Sequence, residues 1–327
     1  MNKDITKELE LTLKFLGTGR LDIKSDDHKL CSGVLLEHGS ERILLDCGDK
    51  DFDLSKISPK AILLTHSHPD HTAGFLKSIN ERLEDIKDIQ IYIPKQSGII
   101  FMKGNVEIPT NKMDSNKDFQ VGSFTFNFAN VLHASNIETS AIVCKIGGVF
   151  KLTYAPDILW YGTRNRELMF KDLDYYIGDG SSLIDNIKRD DGFGGETGHA
   201  SIKTQLEWLK NNNFKGTAFF THFGRELINL DRKTLERQIK EIGKEFGIDS
   251  HIAYDGKEIR LGEVEQDSEL QKESDELDDA VREVLKQIKD KASIIKESKP
   301  SETEILELEI KKKKLELLNK WLEANKT

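Results

Sequence analysis

Short hydrophobic runs recur along most of the chain, and their spacing follows two kinds of pattern. Residues 11–16 alternate apolar and polar positions before Gly17-Thr18-Gly19, which predicts a strand that ends in a turn. Residues 61–65 form a nearly continuous apolar run, which is typical of a strand buried on both faces. Similar signals predict strands at 34–37, 42–46, 89–93, 124–130, 139–146, 149–154, 175–177, 217–221, 251–253 and 258–261.

Segments with helical spacing separate these strands. Apolar positions that recur with the helical period predict helices at 73–83, 201–209 and 231–246. Glycine-containing turns predict hairpins at 38–40, 147–148 and 255–256. Because strands and helices alternate, and histidines or aspartates follow several strands, we expect a layered α/β domain with its site at the strand ends.

The pattern changes after about Glu263. Apolar residues then fall at heptad-like intervals on a charged stretch, which predicts a helix that Lys299-Pro300 interrupts. Ser301 with Glu304 resembles a capping box that opens a second helix. We expect a folded domain over 1–263 and a charged α-helical extension over 264–327. A helical hairpin packed on the domain or on another subunit is one interpretation, and a solvated tail is the alternative.

Composition restricts the class of protein. The chain has 327 residues, a net charge of −9, and 32% charged residues. This acidic balance argues against non-specific coating of nucleic acid, although a local basic groove stays compatible with it. The three cysteines lack metal-site spacing, so we interpret them as small buried residues of a reducing compartment. The charged first ten residues do not resemble a signal peptide, and no apolar run is long enough for a membrane span, so we expect a cytoplasmic protein.

Most of the candidate chemistry lies in His66-Ser67-His68-Pro69-Asp70-His71. Imidazole and carboxylate groups suit zinc and other borderline divalent ions. His66 and His68, two residues apart, can point to one side, whereas Asp70 and His71 lie beyond the turn and can face a neighbouring ion. Each ion needs further ligands, and a carboxylate that bridges two ions is a natural way to hold both. The segment therefore predicts a metal site with room for two ions.

This segment resembles the signature of the metallo-β-lactamase superfamily. Four other segments resemble motifs of that family in the same order: Leu44-Leu45-Asp46-Cys47-Gly48, His133-Ala134-Ser135-Asn136, Leu152-Thr153-Tyr154-Ala155-Pro156-Asp157 and Phe220-Thr221-His222. The resemblance runs from about residue 11 to residue 261. It implies the α/β fold of the family, an αββα sandwich, and the activity of a metal-dependent hydrolase.

The same resemblance implies a ligand set for two divalent ions. The first ion would bind His66, His68 and His133. The second would bind Asp70, His71 and His222. Asp157 would bridge the two ions, and a water or hydroxide would fill the remaining bridging position. Zinc is the default metal, and manganese and iron fit the same ligands.

His199 indicates which branch of the family the chain resembles. The segment Gly198-His199-Ala200-Ser201 is similar to the Gly-His-Ser-Thr segment of ribonuclease Z, and the cyclic phosphodiesterase of the phosphonate pathway also has a histidine there. In those enzymes this histidine is not a metal ligand and contacts the phosphate or serves the leaving group, which is the role we expect for His199. We also expect the N–H groups that open the following helix to favour an anion.

The chain departs from ribonuclease Z at two places. It has no long Gly/Pro-rich arm of the kind that grips transfer RNA, and Gly178-Asp179-Gly180-Ser181 stands where ribonuclease Z has a His-Glu-Ala-Thr segment. The interval between Asp157 and His222 is also too short for the insertion of the β-CASP nucleases. These departures argue against transfer-RNA maturation.

The resulting hypothesis is a dinuclear phosphodiesterase that cleaves a nucleic acid or a cyclic nucleotide with a metal-bridging hydroxide. Asp70 and His199 are the expected catalytic residues: Asp70 orients or deprotonates water, and His199 stabilises the phosphoryl oxygen or protonates the leaving group. A thioesterase-like acyl hydrolase and a non-catalytic metal-bound scaffold are the alternatives. Asp46 is expected either to orient a ligand histidine or to serve the turn alone. Lys188 and Arg189 are interpreted as parts of a solvated loop, with contact to substrate phosphates as the alternative.

Overall fold

Two β-sheets pack face to face through the apolar side chains that their strands direct inward. The computed structural model describes residues 11–21, 24–147, 150–190 and 195–261. In chain order the strands are β1 Leu11–Gly17, β2 Gly33–His38, β3 Glu41–Leu45, β4 Ala61–Leu63, β5 Gln90–Pro94, β6 Met102–Lys103, β7 Val106–Glu107, β8 Asn111–Met113, β9 Phe119–Val121, β10 Phe124–Ala134, β11 Ile137–Ile146, β12 Phe150–Ala155, β13 Tyr175–Asp179, β14 Ile187–Asp190, β15 Glu196–His199, β16 Thr217–Thr221, β17 Asp249–Ile252 and β18 Glu258–Leu261.

The helices lie on the outer faces of the two sheets. In chain order they are α1 Leu54–Ile57, α2 Pro69–Glu81, α3 Leu83–Ile86, α4 Arg166–Phe170, α5 Ile202–Asn211, α6 Arg225–Ile228 and α7 Arg232–Phe246, with a 3₁₀ turn at Thr163–Asn165. The first sheet has the strand order β18-β1-β2-β3-β4-β5-β8. The second has the order β14-β15-β10-β11-β12-β13-β16-β17, and β9 pairs with β10.

Three layers of buried apolar side chains hold this arrangement together. The central layer lies between the sheets and includes Phe15, Phe126 and Tyr154. An outer layer packs α2 on the first sheet through residues such as Phe75. The other outer layer packs α5 and α7 on the second sheet through residues such as Leu206. The protein is therefore an αββα sandwich, and the predicted fold class is confirmed.

The sheet topology brings several strand ends to one edge. Strands β12, β13, β16 and β17 are parallel to one another, and so are β3, β4, β5 and β8. Strand β10 is antiparallel to β11, which is antiparallel to β12, so β10 and β12 run in the same direction. Polar residues that follow these strands therefore meet at one edge of the sandwich, as ligands commonly do in α/β folds.

One predicted hairpin is wrong. Residues 251–253 and 258–261 were expected to pair with each other around Asp255-Gly256. Instead β17 pairs with β16 in the second sheet, whereas β18 pairs with β1 in the first. Asp255 accepts hydrogen bonds from Thr18 and from the backbone of Leu30, so the turn anchors the loop after β1 rather than closing a hairpin.

Two predicted boundaries also change. Helix α2 begins at Pro69, four residues before the expected start, because proline suits the first helical turn. Asp70 and His71 therefore lie in the first turn of a helix and not in a loop. Strand β10 continues to Ala134 and so carries His133, whereas the apolar pattern predicted its end near residue 130.

Some predictions concern residues outside the described part of the chain. The helical extension over 264–327 and the second residue of the turn at 147–148 belong to this group, and the division into two domains stays a prediction. Within the described residues, Cys31, Cys47 and Cys144 are buried and unpaired, as expected. No helix of the described ranges is both long and apolar enough for a membrane span.

Candidate metal centre

The start of helix α2 presents four candidate ligands from one short segment. His66 and His71 are fully buried, whereas His68 and Asp70 are partly exposed. The helix lies against the turn after β3, where the His71 carbonyl accepts from the Cys47 backbone N–H. A side chain at Gly48 would collide with the Asp70 carbonyl, because its Cβ would lie 1.7 Å from that oxygen. The absence of a side chain there allows the close approach that positions Asp70 and His71.

The first group of donors consists of three imidazoles. His66, His68 and His133 each offer a nitrogen within 4.8 Å of the other two. The ring of His133 donates from Nδ1 to the Gly198 carbonyl at 2.9 Å, which leaves Nε2 for an ion. Nε2 of His66 lies 2.9 Å from Nδ1 of His68. These three rings converge as the ligands of one ion do.

The second group combines a carboxylate and two imidazoles. Asp70, His71 and His222 also offer donor atoms within 4.8 Å of one another. Nε2 of His222 lies 3.2 Å from Oδ2 of Asp70. His222 follows β16 and has a φ of 59°, a left-handed conformation that is uncommon outside glycine and that often occurs at functional sites. This backbone turn directs its ring towards the start of α2.

Asp157 lies between the two groups. Its Oδ2 is 2.7 Å from Nε2 of His71 and 3.6 Å from Nε2 of His66, and its Oδ1 is 3.1 Å from Nδ1 of His222. Despite these short distances, His71 Nε2, Asp157 Oδ1 and His222 Nδ1 are buried without a partner in hydrogen-bond geometry among the described residues. Buried polar atoms without partners are costly, whereas a shared cation satisfies all three at once. The donor set therefore fits divalent metal binding.

Burial keeps several of these imidazoles in their neutral form. It lowers the pKa of His66 well below its ordinary value and that of His68 to about 4. It lowers the pKa of His133 as well. Only the neutral ring has a lone pair for a metal, so the site is ready to bind without first losing protons from these rings.

Asp46 holds His71 from the side away from the cavity. It is fully buried, and its Oδ2 accepts from Nδ1 of His71 at 2.7 Å and from the hydroxyl of Tyr154 at 3.1 Å. The backbone and hydroxyl of Thr65 donate to the same carboxylate. This bond keeps a proton on Nδ1 and turns Nε2 towards Asp157. Asp46 therefore orients a candidate ligand, the first of the two roles that the sequence left open.

His199 lies in the same cavity and is paired with Asp179. Its Nδ1 is 2.7 Å from Oδ2 of Asp179 and 3.2 Å from Oδ1 of Asp157. Burial lowers the pKa of His199, but Asp179 and then Asp157 outweigh burial and raise this pKa to about 10. Nε2 of His199 lies 3.4 Å from Nη1 of Arg20. Asp179 therefore positions His199 with Nε2 towards the cavity.

The expected anion site at the start of α5 is wrong. The first amides of this helix already have partners: Ile202 donates to the Ser182 carbonyl and Lys203 to the Leu183 carbonyl. Thr204 donates to the side chain of Ser201, which caps the helix. The start of α5 therefore has no free amide among its first three residues to offer an anion near His199.

The cavity has a volume of about 200 Å³ and opens beside β14 and β15. Its lining includes candidate ligands from both groups together with His199, Arg20, Arg189 and Thr197. Lys188 and Arg189, which were expected in a solvated loop, lie in β14 and so belong to a two-stranded hairpin with β15. Arg189 lines the cavity, whereas Lys188 points to the other face of the hairpin and pairs with Glu196 at 3.7 Å.

All the predicted site residues therefore come together: His66, His68, Asp70, His71, His133, Asp157, His199 and His222. Sequence reasoning missed Asp179 as the partner of His199 and did not single out Arg20. The signal for Asp179 was its place at the end of a predicted strand, where other candidate ligands also lie. Arg20 carried no comparable signal, since it follows a common glycine turn.

The fold and the site together identify the class of protein. An αββα sandwich that gathers imidazoles and carboxylates at one edge is typical of the metallo-hydrolase folds. The chain belongs to the β-lactamase superfamily, because the model of the beta-lactamase superfamily domain matches residues 41–223, more than half of its length. This match contains the segment from His66 to His71 and nearly all of the other candidate site residues.

Individual relatives are more distant. Ribonuclease Z from Methanopyrus kandleri is 36% identical over 74 residues, which cover 20% of this chain and 25% of that protein. The metallo-beta-lactamase fold protein YhfI from Bacillus subtilis has a TM-score of 0.58 and 17% identity, covering 76% of this chain and 98% of YhfI. Zn²⁺-bound PqqB from Methylobacterium extorquens has a TM-score of 0.55 and 16% identity, covering 76% of this chain and all of PqqB. The two structural likenesses show the fold alone.

Proposed function

We propose that this chain is a dinuclear metal-dependent phosphodiesterase that hydrolyses a nucleic acid or nucleotide phosphodiester. The observation that carries this proposal is the position of His199. Its ring is held by Asp179 and faces a cavity that candidate metal ligands from both groups also line. A positioned imidazole beside two cations suits a reaction in which negative charge develops on a phosphoryl group and a leaving oxygen needs a proton.

In this proposal the first ion is held by His66, His68 and His133, and the second by Asp70, His71 and His222. Asp157 lies between the groups and would serve as a ligand to both ions. A pair of divalent ions supplies Lewis acidity and an ionised water near neutral pH. Zinc is the first candidate because imidazole-rich donor sets suit it, and the fold relative PqqB is described as Zn²⁺-bound. Manganese and iron are compatible with the same donors.

The residues of the chain then have separate tasks. Nδ1 of His199 donates to Asp179, so Nε2 is the ring atom that can reach the substrate. As an imidazolium it donates to a phosphoryl oxygen or transfers its proton to the leaving oxygen. Oδ2 of Asp70 faces the cavity beside His222 and can accept a proton from the attacking water. Asp46 keeps His71 in one tautomer throughout.

An acyl hydrolase on the same fold is the competing proposal, since the two ligand groups alone do not separate a thioester from a phosphodiester. The Asp179–His199 pair favours the phosphodiester, because it adds a cationic donor beside the ions where a phosphoryl group carries several charged oxygens. A metal-bound scaffold is disfavoured because members of both donor groups, such as His68, His133 and His222, line an open cavity, whereas a structural metal site is closed.

The test is a side-by-side assay after reconstitution with zinc, manganese or iron. We expect hydrolysis of bis-p-nitrophenyl phosphate to exceed hydrolysis of an acyl thioester at equal concentration. We expect His199→Ala to lower phosphodiester turnover about 10²- to 10⁴-fold while retaining its metal. His38→Ala is the control, because His38 ends β2 at the edge of the first sheet that lies opposite the candidate metal ligands. Unchanged turnover of His199→Ala, with metal measured in the same sample, would remove the reason for choosing phosphodiesters.

We also propose that the extension over residues 264–327 mediates assembly with other protein chains. Its predicted helices would join two copies of the chain or bind a protein partner. A chain truncated after residue 263 should keep its phosphodiesterase activity and change its oligomeric state, measured by light scattering as the number of copies per particle. Loss of activity with an unchanged number of copies would contradict an assembly role.

A further inference from the structure

Arg20 lines the cavity without an ion-pair partner among the described residues. It follows β1 directly and lines the cavity with His199. Its Nε is buried and has no hydrogen-bond partner, and no carboxylate of the described residues forms an ion pair with it. Its recorded contact is Nη1 to Nε2 of His199 at 3.4 Å. A partly desolvated guanidinium without an anion is unfavourable, so a ligand that supplies the anion is expected.

The hairpin of β14 and β15 provides a second guanidinium on the same wall. Ile187 pairs with His199, and Arg189 pairs with Thr197, so the four residues share one face of the hairpin. All four line the cavity. Arg189 is exposed and forms no ion pair with a carboxylate of the described residues. It lies two positions further along the hairpin than Ile187, or about 7 Å from the level of His199.

The opposite face of the hairpin is different. Lys188 lies between Ile187 and Arg189 in sequence and points away from the cavity, where its ammonium group is 3.7 Å from the Glu196 carboxylate. On the outer face Lys188 thus pairs with Glu196, whereas on the inner face Arg189 has no carboxylate partner among the described residues. This difference between neighbouring residues indicates that the inward charge serves a ligand.

We propose that Arg20 and Arg189 form a second anion site, and that the substrate carries another phosphate group next to the phosphodiester that is cleaved. This inference rests on the proposed function. A phosphodiester has one negative charge, which the ions and His199 engage, and two further guanidinium groups then need a second anion. Guanidinium groups bind phosphate with paired N–H donors, so both arginines suit this role. An oligonucleotide or a nucleotide with a second phosphate fits, whereas a cyclic mononucleotide with a single phosphate does not.

Binding measurements test the second site apart from turnover. Calorimetry on the metal-reconstituted protein compares thymidine 3′,5′-bisphosphate with thymidine 5′-monophosphate. We expect the bisphosphate to bind at least about 10-fold more tightly, as a charge-assisted contact to an added phosphate predicts. Arg20→Gln and Arg189→Gln should each reduce this ratio to below about 3-fold, whereas Lys188→Gln should leave it unchanged. Circular dichroism confirms that each variant is folded.

The outcomes separate the two proposals. A wild-type ratio near one, in a protein that hydrolyses bis-p-nitrophenyl phosphate, would overturn the second anion site and leave the phosphodiesterase proposal intact. A ratio that survives both arginine variants would overturn the assignment to these residues. Preference for the bisphosphate in a protein that hydrolyses no phosphodiester would support the anion site and overturn the proposed reaction.

Discussion

Replacing Asp46 by asparagine tests how the protein holds its candidate metal ligands. The Asp46 carboxylate is fully buried and accepts from four donors: the backbone and hydroxyl of Thr65, Nδ1 of His71 and the hydroxyl of Tyr154. An asparagine keeps the shape but replaces one acceptor oxygen by an N–H₂ group. That group must face either the Thr65 backbone N–H or Nδ1–H of His71, so each arrangement opposes at least one N–H donor.

The protein can relieve the second arrangement by moving the His71 proton to Nε2. Nε2 is the nitrogen that lies 2.7 Å from Asp157 and is proposed to bind metal. A proton on Nε2 blocks this nitrogen for a metal, so metal binding requires the proton to move back to Nδ1. Loss of such a supporting carboxylate weakens metal affinity about 10- to 100-fold, or about 1.4–2.8 kcal/mol. The opposed buried donors cost a further ~1–3 kcal/mol of folding stability.

Competition with a chromophoric zinc chelator measures the affinity, and urea unfolding of the metal-free protein measures the stability. Asp49→Asn is the matched control. Asp49 is also buried and close to the start of α2, but it accepts from the backbone of Cys31 and Asp51 and not from a candidate ligand. We expect Asp49→Asn to lower stability and to leave zinc affinity within about 3-fold. If folded Asp46→Asn binds zinc as tightly as wild type, the orienting role is refuted.

Three other perturbations test separate parts of the structure. Asp157→Ala should lose at least one of two metal equivalents by elemental analysis, because Asp157 lies between both donor groups; a full complement would count against bridging. Asp179→Asn should keep its metal and lose about 10²-fold or more in turnover, and a loss of metal instead would contradict a role confined to positioning. Burial lowers the pKa of His251, but Asp249 and Glu236 raise this pKa to about 9, above the unfolded value of 6.5. The resulting stability is fully present below pH 6.5 and is lost as the pH rises through about 9. Since Asp249 is 62% exposed and screened, we expect about 1–2 kcal/mol between pH 7 and pH 10 from urea midpoints, with no such difference in His251→Gln.

The sequence by itself determined most of the candidate metal ligands. Three histidines and an aspartate within six residues carry a chemical signal at fixed spacing, because so short a segment keeps them close together whatever the rest of the fold. His133 lies near the end of β10, and Asp157 and His222 follow β12 and β16; these strands run in the same direction and deliver their ends to one edge of the sheet. Local pattern and family resemblance therefore sufficed for the fold class.

Tertiary structure decided the parts that depend on which strands become neighbours. Periodicity shows which face of a strand is buried but does not identify its partner, so the sequence paired β17 with β18 although they lie in different sheets. The β14–β15 hairpin appeared as a solvated loop because its pattern is polar, and only its position beside the cavity shows that Arg189 faces inward.

The same limitation applies to Asp179 and Arg20. They lie 20 and 179 residues from His199 along the chain, and each reaches its ring through packing of distant segments. A contact of this kind has no fixed sequence spacing, since it depends on the topology of the whole sandwich. The sequence therefore identifies the residues that can bind metal, whereas the fold selects the side chains that surround a substrate beside them.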